Sequence, residues 1–146
     1  ARPGNYDEHG DMITDRSKLN DPNYTSNFNI GYSPKAVTDR YAENLNDAHK
    51  RLLDAGATVY FSFAPHNYNG LTRTARTEEN MHAYTDRFRE VLNVPVISYL
   101  GDYTLAGQYI QDSDWHPNDV GREMRTAQLA KDLKVQMAKD GIWKEN

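Results

Sequence analysis

Residues 112–124 read DSDWHPNDVGREM. Two carboxylates, Asp112 and Asp114, come just before His116, and Pro117 and a polar turn lead from it into a helical pattern. A histidine two to four residues after an aspartate can serve as a general base. The carboxylate fixes the imidazole tautomer and stabilises the imidazolium, which leaves the other ring nitrogen to take a proton from a nucleophile. Pro117 ends any regular structure after His116 and helps to pin the loop. Gly121, at the helix start, permits a close approach to a neighbouring element. The plainer reading is that Asn118 or Asp119 caps the last helix and His116 is a surface residue. Spacing alone leaves both readings open.

Metal chemistry fits the same stretch poorly. Counted from Asp112, a calcium loop of the EF-hand type needs an oxygen ligand at the fifth position and Gly at the sixth. His116 and Pro117 stand there, and they defeat the loop geometry even though Glu123 falls at the twelfth place. Zinc is no better served. The five histidines, 9, 49, 66, 82 and 116, are scattered with no pair at helical ligand spacing, and no cysteine is present. No metal or organic cofactor is implied.

A second candidate is His66-Asn67, at the end of an apolar run. Open parallel sheets place their sites beyond the C-terminal ends of the strands, so these two residues are candidate substrate contacts that could meet the His116 loop. The plainer alternative is a turn satisfied by Asn67 and solvent. Asp102 in GDY and Asp11 in HGDM read as turn residues, and His49 and His82 as helix-surface residues. The tyrosines read as core and rim more readily than as a carbohydrate platform.

The elements that must position these residues follow from periodicity. Residues 1–32 are rich in Asn, Asp, Gly, Tyr and Ser without a sustained period, so they are expected to be loop-like and to lean on something else for order. Ser33-Pro34 suits a helix start, followed by Val37, Tyr41, Leu45, Ala48 and Leu52 on one face and Gly56 as a C-terminal stop. ATVYFSFAP, 57–65, is short, β-branched and aromatic, as expected of a parallel strand buried on both faces. Thr77, Glu78 and Glu79 open a second helix with Met81, Tyr84, Phe88 and Val91 or Leu92 inward. VPVISYL, 94–100, reads as a second buried strand. A turn and short helix are expected around Leu105, Tyr109 and Ile110. The last helix is expected from about 118 to about 139, with Val120, Met124, Ala127, Ala130, Leu133 and Met137 inward, Gly141 ending it and Trp143 packing back. Alternating helices and buried strands point to one α/β domain over 1–146, loop-rich in 1–32 and α/β in 33–146. Two strands make a poor sheet, so edge strands are expected from the N-terminal region or from another polypeptide.

Composition sets the outer limits. The 146 residues suffice for one domain with a core, and the charged fraction of 26% and apolar fraction of 38% are globular. Ten tyrosines and two tryptophans argue against disorder. The net charge is −4 with acids and bases interspersed, so no basic stripe is available for nucleic acid. No apolar run approaches the roughly 20 residues that span a bilayer. The first residues, ARPGNYDEHG, lack a signal-peptide core and an initiator Met, so a mature or trimmed product, or a piece of something longer, is expected. Asn23-Tyr24-Thr25 fits a glycosylation triplet of low specificity.

A strand ending in Pro, a helix, a second strand, then Asp-x-His-Pro-Asn-x-x-Gly before a terminal helix resembles the C-terminal half of SGNH (GDSL-type) hydrolases, over roughly residues 35–138. That resemblance implies a partial flavodoxin-like three-layer α/β/α fold with a parallel sheet, esterase or O-acyl transfer chemistry, and an extracytoplasmic or envelope location. It places the family's catalytic base at His116. The commonest family spacing would put the orienting Asp at Ser113; the alternative spacing gives Asp114, with Asp112 as second choice. The family's Gly-Asp-Ser nucleophile block and its Gly and Asn blocks are not found. The resemblance therefore implies the C-terminal part of such an enzyme, inactive alone. Its partners would be the N-terminal part that carries the Ser and an ester or acylated carbohydrate substrate. Two other readings stand beside it: a non-enzymatic carbohydrate-binding α/β module, and a self-contained enzyme using one of the serines at 17, 26, 33, 62, 98 or 113.

Overall fold

Thr77 and the two acids after it behave as their types dictate. The Thr77 hydroxyl accepts from the Asn80 N–H at 3.2 Å, and α2 runs Glu78–Val91 with Glu78 and Glu79 at its positive end. Met81, Thr85 and Phe88 are buried along one face, with Tyr84 and Val91 half-buried beside them. Phe88 organises the core. It stacks on Phe61 at 4.9 Å between ring centroids and meets Phe63 and Tyr84 edge-on at 5.4 and 5.1 Å. The structure, a computed structural model, describes residues 6–9, 13–26 and 28–143, so Asp11 lies outside the described residues.

The first helix is two helices. Ser33 caps only a 3-10 turn, Pro34–Ala36. Val37 then leaves helical geometry at φ −84° and ψ 78° and turns into the core, 3% exposed. Thr38 caps a second start, its hydroxyl accepting from the Tyr41 N–H at 3.2 Å, and α1 runs Asp39–Asp54. Gly56 closes it at φ +85°, with Gly56 N–H on the Leu53 carbonyl and Ala57 N–H on the Leu52 carbonyl. Those two bonds are the Schellman pair, and the positive φ is what requires glycine.

The two expected strands lie side by side and parallel, but mostly as extended chain. Phe61 bridges Val96, donating from its N–H to the Pro95 carbonyl at 2.9 Å and accepting from the Ile97 N–H at 3.0 Å. Two residues on, the Phe63 N–H donates to the Ser98 hydroxyl at 2.9 Å, so a side chain replaces a ladder bond. A 3-10 turn, Leu100–Tyr103, then diverts the second segment before the regular pairing begins. That pairing joins β1 (His66–Asn67) in parallel to β2 (Thr104–Leu105), His66 opposite Thr104. A second 3-10 turn follows at Gly107–Tyr109. The first segment is not buried on both faces as expected: Phe63 is buried and Val59 and Phe61 half-buried, but Ala57, Thr58 and Ala64 are exposed. The described residues form a mixed α/β fold with three α-helices and a small two-stranded parallel sheet.

The last helix, α3 (Asp119–Lys139), begins and ends where its sequence signals stand. Asn118 Oδ1 accepts from the Gly121 N–H at 3.1 Å, and Gly141, at φ +71°, closes the other end. The inward face differs in part from the expected one: Leu133 and Met137 turn inward as expected, but the other four do not. Val120 and Met124 are 39% and 45% exposed, and Ala127 and Ala130 are exposed with them. Gly121 is buried instead, with Arg125, Gln128, Leu129, Asp132, Leu133, Gln136 and Met137 half-buried on its side. A Cβ on Gly121 would sit 2.3 Å from the Tyr109 carbonyl oxygen. That contact, and the Tyr103 hydroxyl donating to Asp132 at 2.9 Å, set the rotation of the helix against its apolar stripe.

Candidate functional site

The DSDWHP stretch becomes a pinched loop. Ile110 and Pro117 bridge antiparallel, and the Gln111 N–H donates to the His116 carbonyl at 2.7 Å. The N-terminal segment packs around the base of this loop, and so finds the order its composition could not supply. Asn20 Nδ2 donates to the carbonyls of Ile110 and Gln111 at 2.5 and 2.7 Å. Asn118 Nδ2 reaches the Lys18 and Gln108 carbonyls, and the Asp119 N–H reaches that of Arg16. These amides are what fix the loop to the start of α3.

On the outside of the loop, His116 Nδ1 lies 2.8 Å from Asp112 Oδ1. Both side chains are well exposed, at 61% and 68%. A carboxylate can only accept, so Nδ1 carries the proton in this pair and Nε2 of the neutral ring is left as an acceptor. Nε2 has no hydrogen-bond partner among the described residues. Asp112, four residues before the histidine, is therefore its partner. Asp114, the first choice on family spacing, points the other way and has no exposed surface. Its Oδ1 accepts from Asn67 Nδ2 at 2.8 Å, from the Ser26 N–H at 3.2 Å and from the Thr25 hydroxyl at 3.5 Å. Burial works against the Asp114 carboxylate ion, but the hydrogen bonds from Ser26, Asn67 and the Phe28 backbone outweigh it and hold the carboxyl below the usual range.

His66 and Asn67 do meet this loop, but from underneath. Both are fully buried, so neither offers an exposed surface to a substrate in this structure. The Asn67 N–H donates to the Asp114 carbonyl at 2.8 Å, and its Nδ2 also reaches the Tyr24 carbonyl at 2.8 Å. The His66 ring sits between the Ala64 carbonyl at Nδ1, 3.3 Å, and the Thr104 hydroxyl at Nε2, 2.8 Å. Burial pushes its pKa down to about 4 against the mild upward pull of the Ala64 carbonyl, so it is neutral at pH 7. It ties β1 to β2 through Thr104. His82 is more than a bare surface residue: it stands 3.2 Å from Glu78 and stacks on Tyr99 at 4.4 Å.

Residues that sequence reasoning passed over complete the surroundings. Phe28 and Trp115, 52% and 38% exposed, lie 5.2 Å apart, with Trp115 next to His116 in the chain. Trp115 carried a signal in the motif itself; Phe28 carried none, and nothing in the sequence tied Ser26 or Thr25 to Asp114. None of the six serine hydroxyls hydrogen-bonds the His116 ring; Ser113 meets His116 only through the backbone, its carbonyl accepting from the His116 N–H at 3.5 Å. Ser17 is bonded to Asp15, and Ser33 and Ser113 accept from nearby backbone N–H groups. Ser62 donates to the Phe63 carbonyl, Ser98 accepts from Phe63, and Ser26 lies in the Asp114 socket. Among the described residues no group of three His, Asp or Glu side chains is gathered as a metal site, and no helix is long and apolar enough to cross a membrane. In comparisons with known proteins, no family model, no curated protein and no solved structure matches the chain.

Proposed function

We propose that this chain is the C-terminal part of an SGNH-like serine esterase or O-acyl hydrolase and supplies a catalytic acid–histidine pair to a serine carried outside it. In this reading the two-stranded sheet and its flanking helices belong to a flavodoxin-like three-layer fold completed by further strands. The observation that carries the reading is the 2.8 Å contact between His116 Nδ1 and Asp112 Oδ1 on an exposed loop, with Nε2 left open. Nε2 takes the proton of the serine hydroxyl as its oxygen attacks the ester carbonyl, and Asp112 stabilises the imidazolium. The proton then passes to the departing alcohol, leaving an acyl-enzyme. Water, or a sugar hydroxyl, attacks that acyl-enzyme with Nε2 again as base, and the serine recovers its proton. No metal or organic cofactor takes part.

Treatment of the native protein with a fluorophosphonate probe, read by intact mass, tests this. The expected label falls on a second polypeptide or on a segment outside residues 1–146. The purified chain alone hydrolyses no nitrophenyl ester. Ester turnover by the pure chain that disappears in His116→Ala would overturn the external serine. A label on one of the six serines named above would do the same. An absence of label anywhere would favour a second reading, a carbohydrate-binding module. The exposed Phe28–Trp115 pair supports that alternative, because sugar rings stack on such surfaces. Glycan binding would then survive His116→Ala and be lost in Trp115→Ala.

A further inference from the structure

We propose that Asp114 and Asn67 are positioning residues that lock the tautomer of His116 by fixing the loop on which Asp112 meets it. Asp112 and His116 each stand two residues from Asp114. Two backbone bonds close the base of the loop around the Ile110–Pro117 bridge, from the Asn118 N–H to the Tyr109 carbonyl and from the Gln111 N–H to the His116 carbonyl. Its tip is tied down at Asp114, whose backbone carbonyl and carboxylate both accept from Asn67, at 2.8 Å each. Asn67 is itself held, donating to the Tyr24 carbonyl and accepting from the Asn69 N–H at 3.0 Å. Gly70 forms the floor of the socket: a Cβ there would lie 2.6 Å from Asp114 Cγ.

The anchor matters because the pair it serves cannot hold itself. Two exposed side chains attracting each other through water gain little and lose rotamer freedom when they settle into one geometry. An exposed Asp–His contact stays formed only where the backbone has already brought the two side chains together. The buried carboxylate of Asp114 supplies that preorganisation, and its inward orientation is why Asp112 is the one that faces the ring. This inference goes beyond the proposed reaction, since it concerns the ring before any substrate arrives.

Nitrogen-15 spectra of the histidine rings in the full chain, recorded at about pH 8, above the ordinary histidine range, report which ring nitrogen carries the proton. His116 in the parent is expected in the Nδ1–H form. Asp112→Ala should release it to an exchange-averaged mixture of tautomers. Asp114→Asn should release it too, with the His66 ring signals unchanged as an internal control of the fold. A purely structural role for Asp114 would leave the His116 tautomer fixed. If Asp114→Asn does not fold, Gly70→Ala keeps every hydrogen-bonding group and displaces the carboxylate from its socket, with the same expected release. A His116 ring still in the Nδ1–H form in Asp112→Ala, or in the Asp114 or Gly70 variants, would overturn the proposal, as would a parent ring already averaged. Because no substrate is needed, a failure of the esterase reading in the probe experiment would leave this result standing.

Discussion

Asp112 and Asp114 stand two residues apart in one loop, and opposite physics governs them. Asp114 has no exposed surface and accepts from three donors, one of them 47 residues and another 88 residues away in sequence. The Asp112 side chain is 68% exposed and accepts from a single ring nitrogen. All three donors meet Oδ1, while the buried Oδ2 has no hydrogen-bond partner among the described residues, and a carboxylate held in this way is poorly placed to change partners as a proton moves. An exposed carboxylate adds little to stability and is free to respond to the charge on its histidine. A buried structural anchor and an exposed, accessible carboxylate thus stand two residues apart in one loop. In this loop, burial separates the acid that builds the site from the acid that can serve in it.

That division is most sharply tested by removing the buried acid. Asp114→Ala leaves Asn67 Nδ2 and the Ser26 N–H in a buried socket without their acceptor, at a cost of ~3 kcal/mol or more. The measurement is a urea midpoint at unchanged slope. Asp112→Ala in the same assay should shift stability by less than ~0.5 kcal/mol, as exposed ion pairs do. Equal losses at the two positions would erase the contrast.

Acid tests the same junction through His66. Its pKa in the folded chain is about 4, below the ordinary value of 6.5, because burial disfavours the charged ring. Between those two values the unfolded chain takes up a proton that the folded chain refuses. The contribution is therefore whole above pH 6.5 and is lost as pH falls from there towards 4, up to about 3 kcal/mol in total. Asp114 acts in the same direction at lower pH. Its carboxyl is held below the usual range, so its share persists down to ordinary carboxylate pH and is lost only below it. Urea midpoints at pH 7, 5.5 and 4 should fall in the parent and stay nearly level in His66→Gln. A parent that is flat over that range would mean the ring is hydrated.

Where the sequence was readable, local chemistry decided the outcome. Thr77 with two acids, the Met81–Phe88 stripe, the Asn118 cap and the two C-terminal glycines are each complete within a few residues of chain. The misread features depend on distant partners. Val37 breaks the first helix because the core takes its side chain. The rotation of α3 depends on Gly121 meeting the Tyr109 carbonyl, which no periodicity encodes. The direction of Asp114 depends on Ser26 and Asn67, whereas spacing to His116 was the only guide in the motif. Gly121→Ala tests the rotation directly. A methyl pressed 2.3 Å from a carbonyl oxygen must displace the helix, with an expected loss of about 1–3 kcal/mol and shifted amide signals at Tyr109 and Leu105.

The smallest expected effect lies on the other side of the same helix, where Val120, Met124, Ala127 and Ala130 face outward while Leu129, Leu133 and Met137 stay half-buried on the inner side. Met124 is 45% exposed and Val120 39%. Were their stripe core, as its spacing suggested, Met124→Lys would bury an unpaired ammonium and cost several kcal/mol. On the outward face the same change should move stability by less than ~0.5 kcal/mol. The sharper form of the test is its dependence on protein concentration. A loss above about 2 kcal/mol that grows as the sample is concentrated would mean that α3 is covered by a second copy, since a lost contact between molecules weighs in proportion to how often they meet. A small, concentration-independent change would leave the rotation set by Gly121 as the correct account of why this helix shows its apolar side.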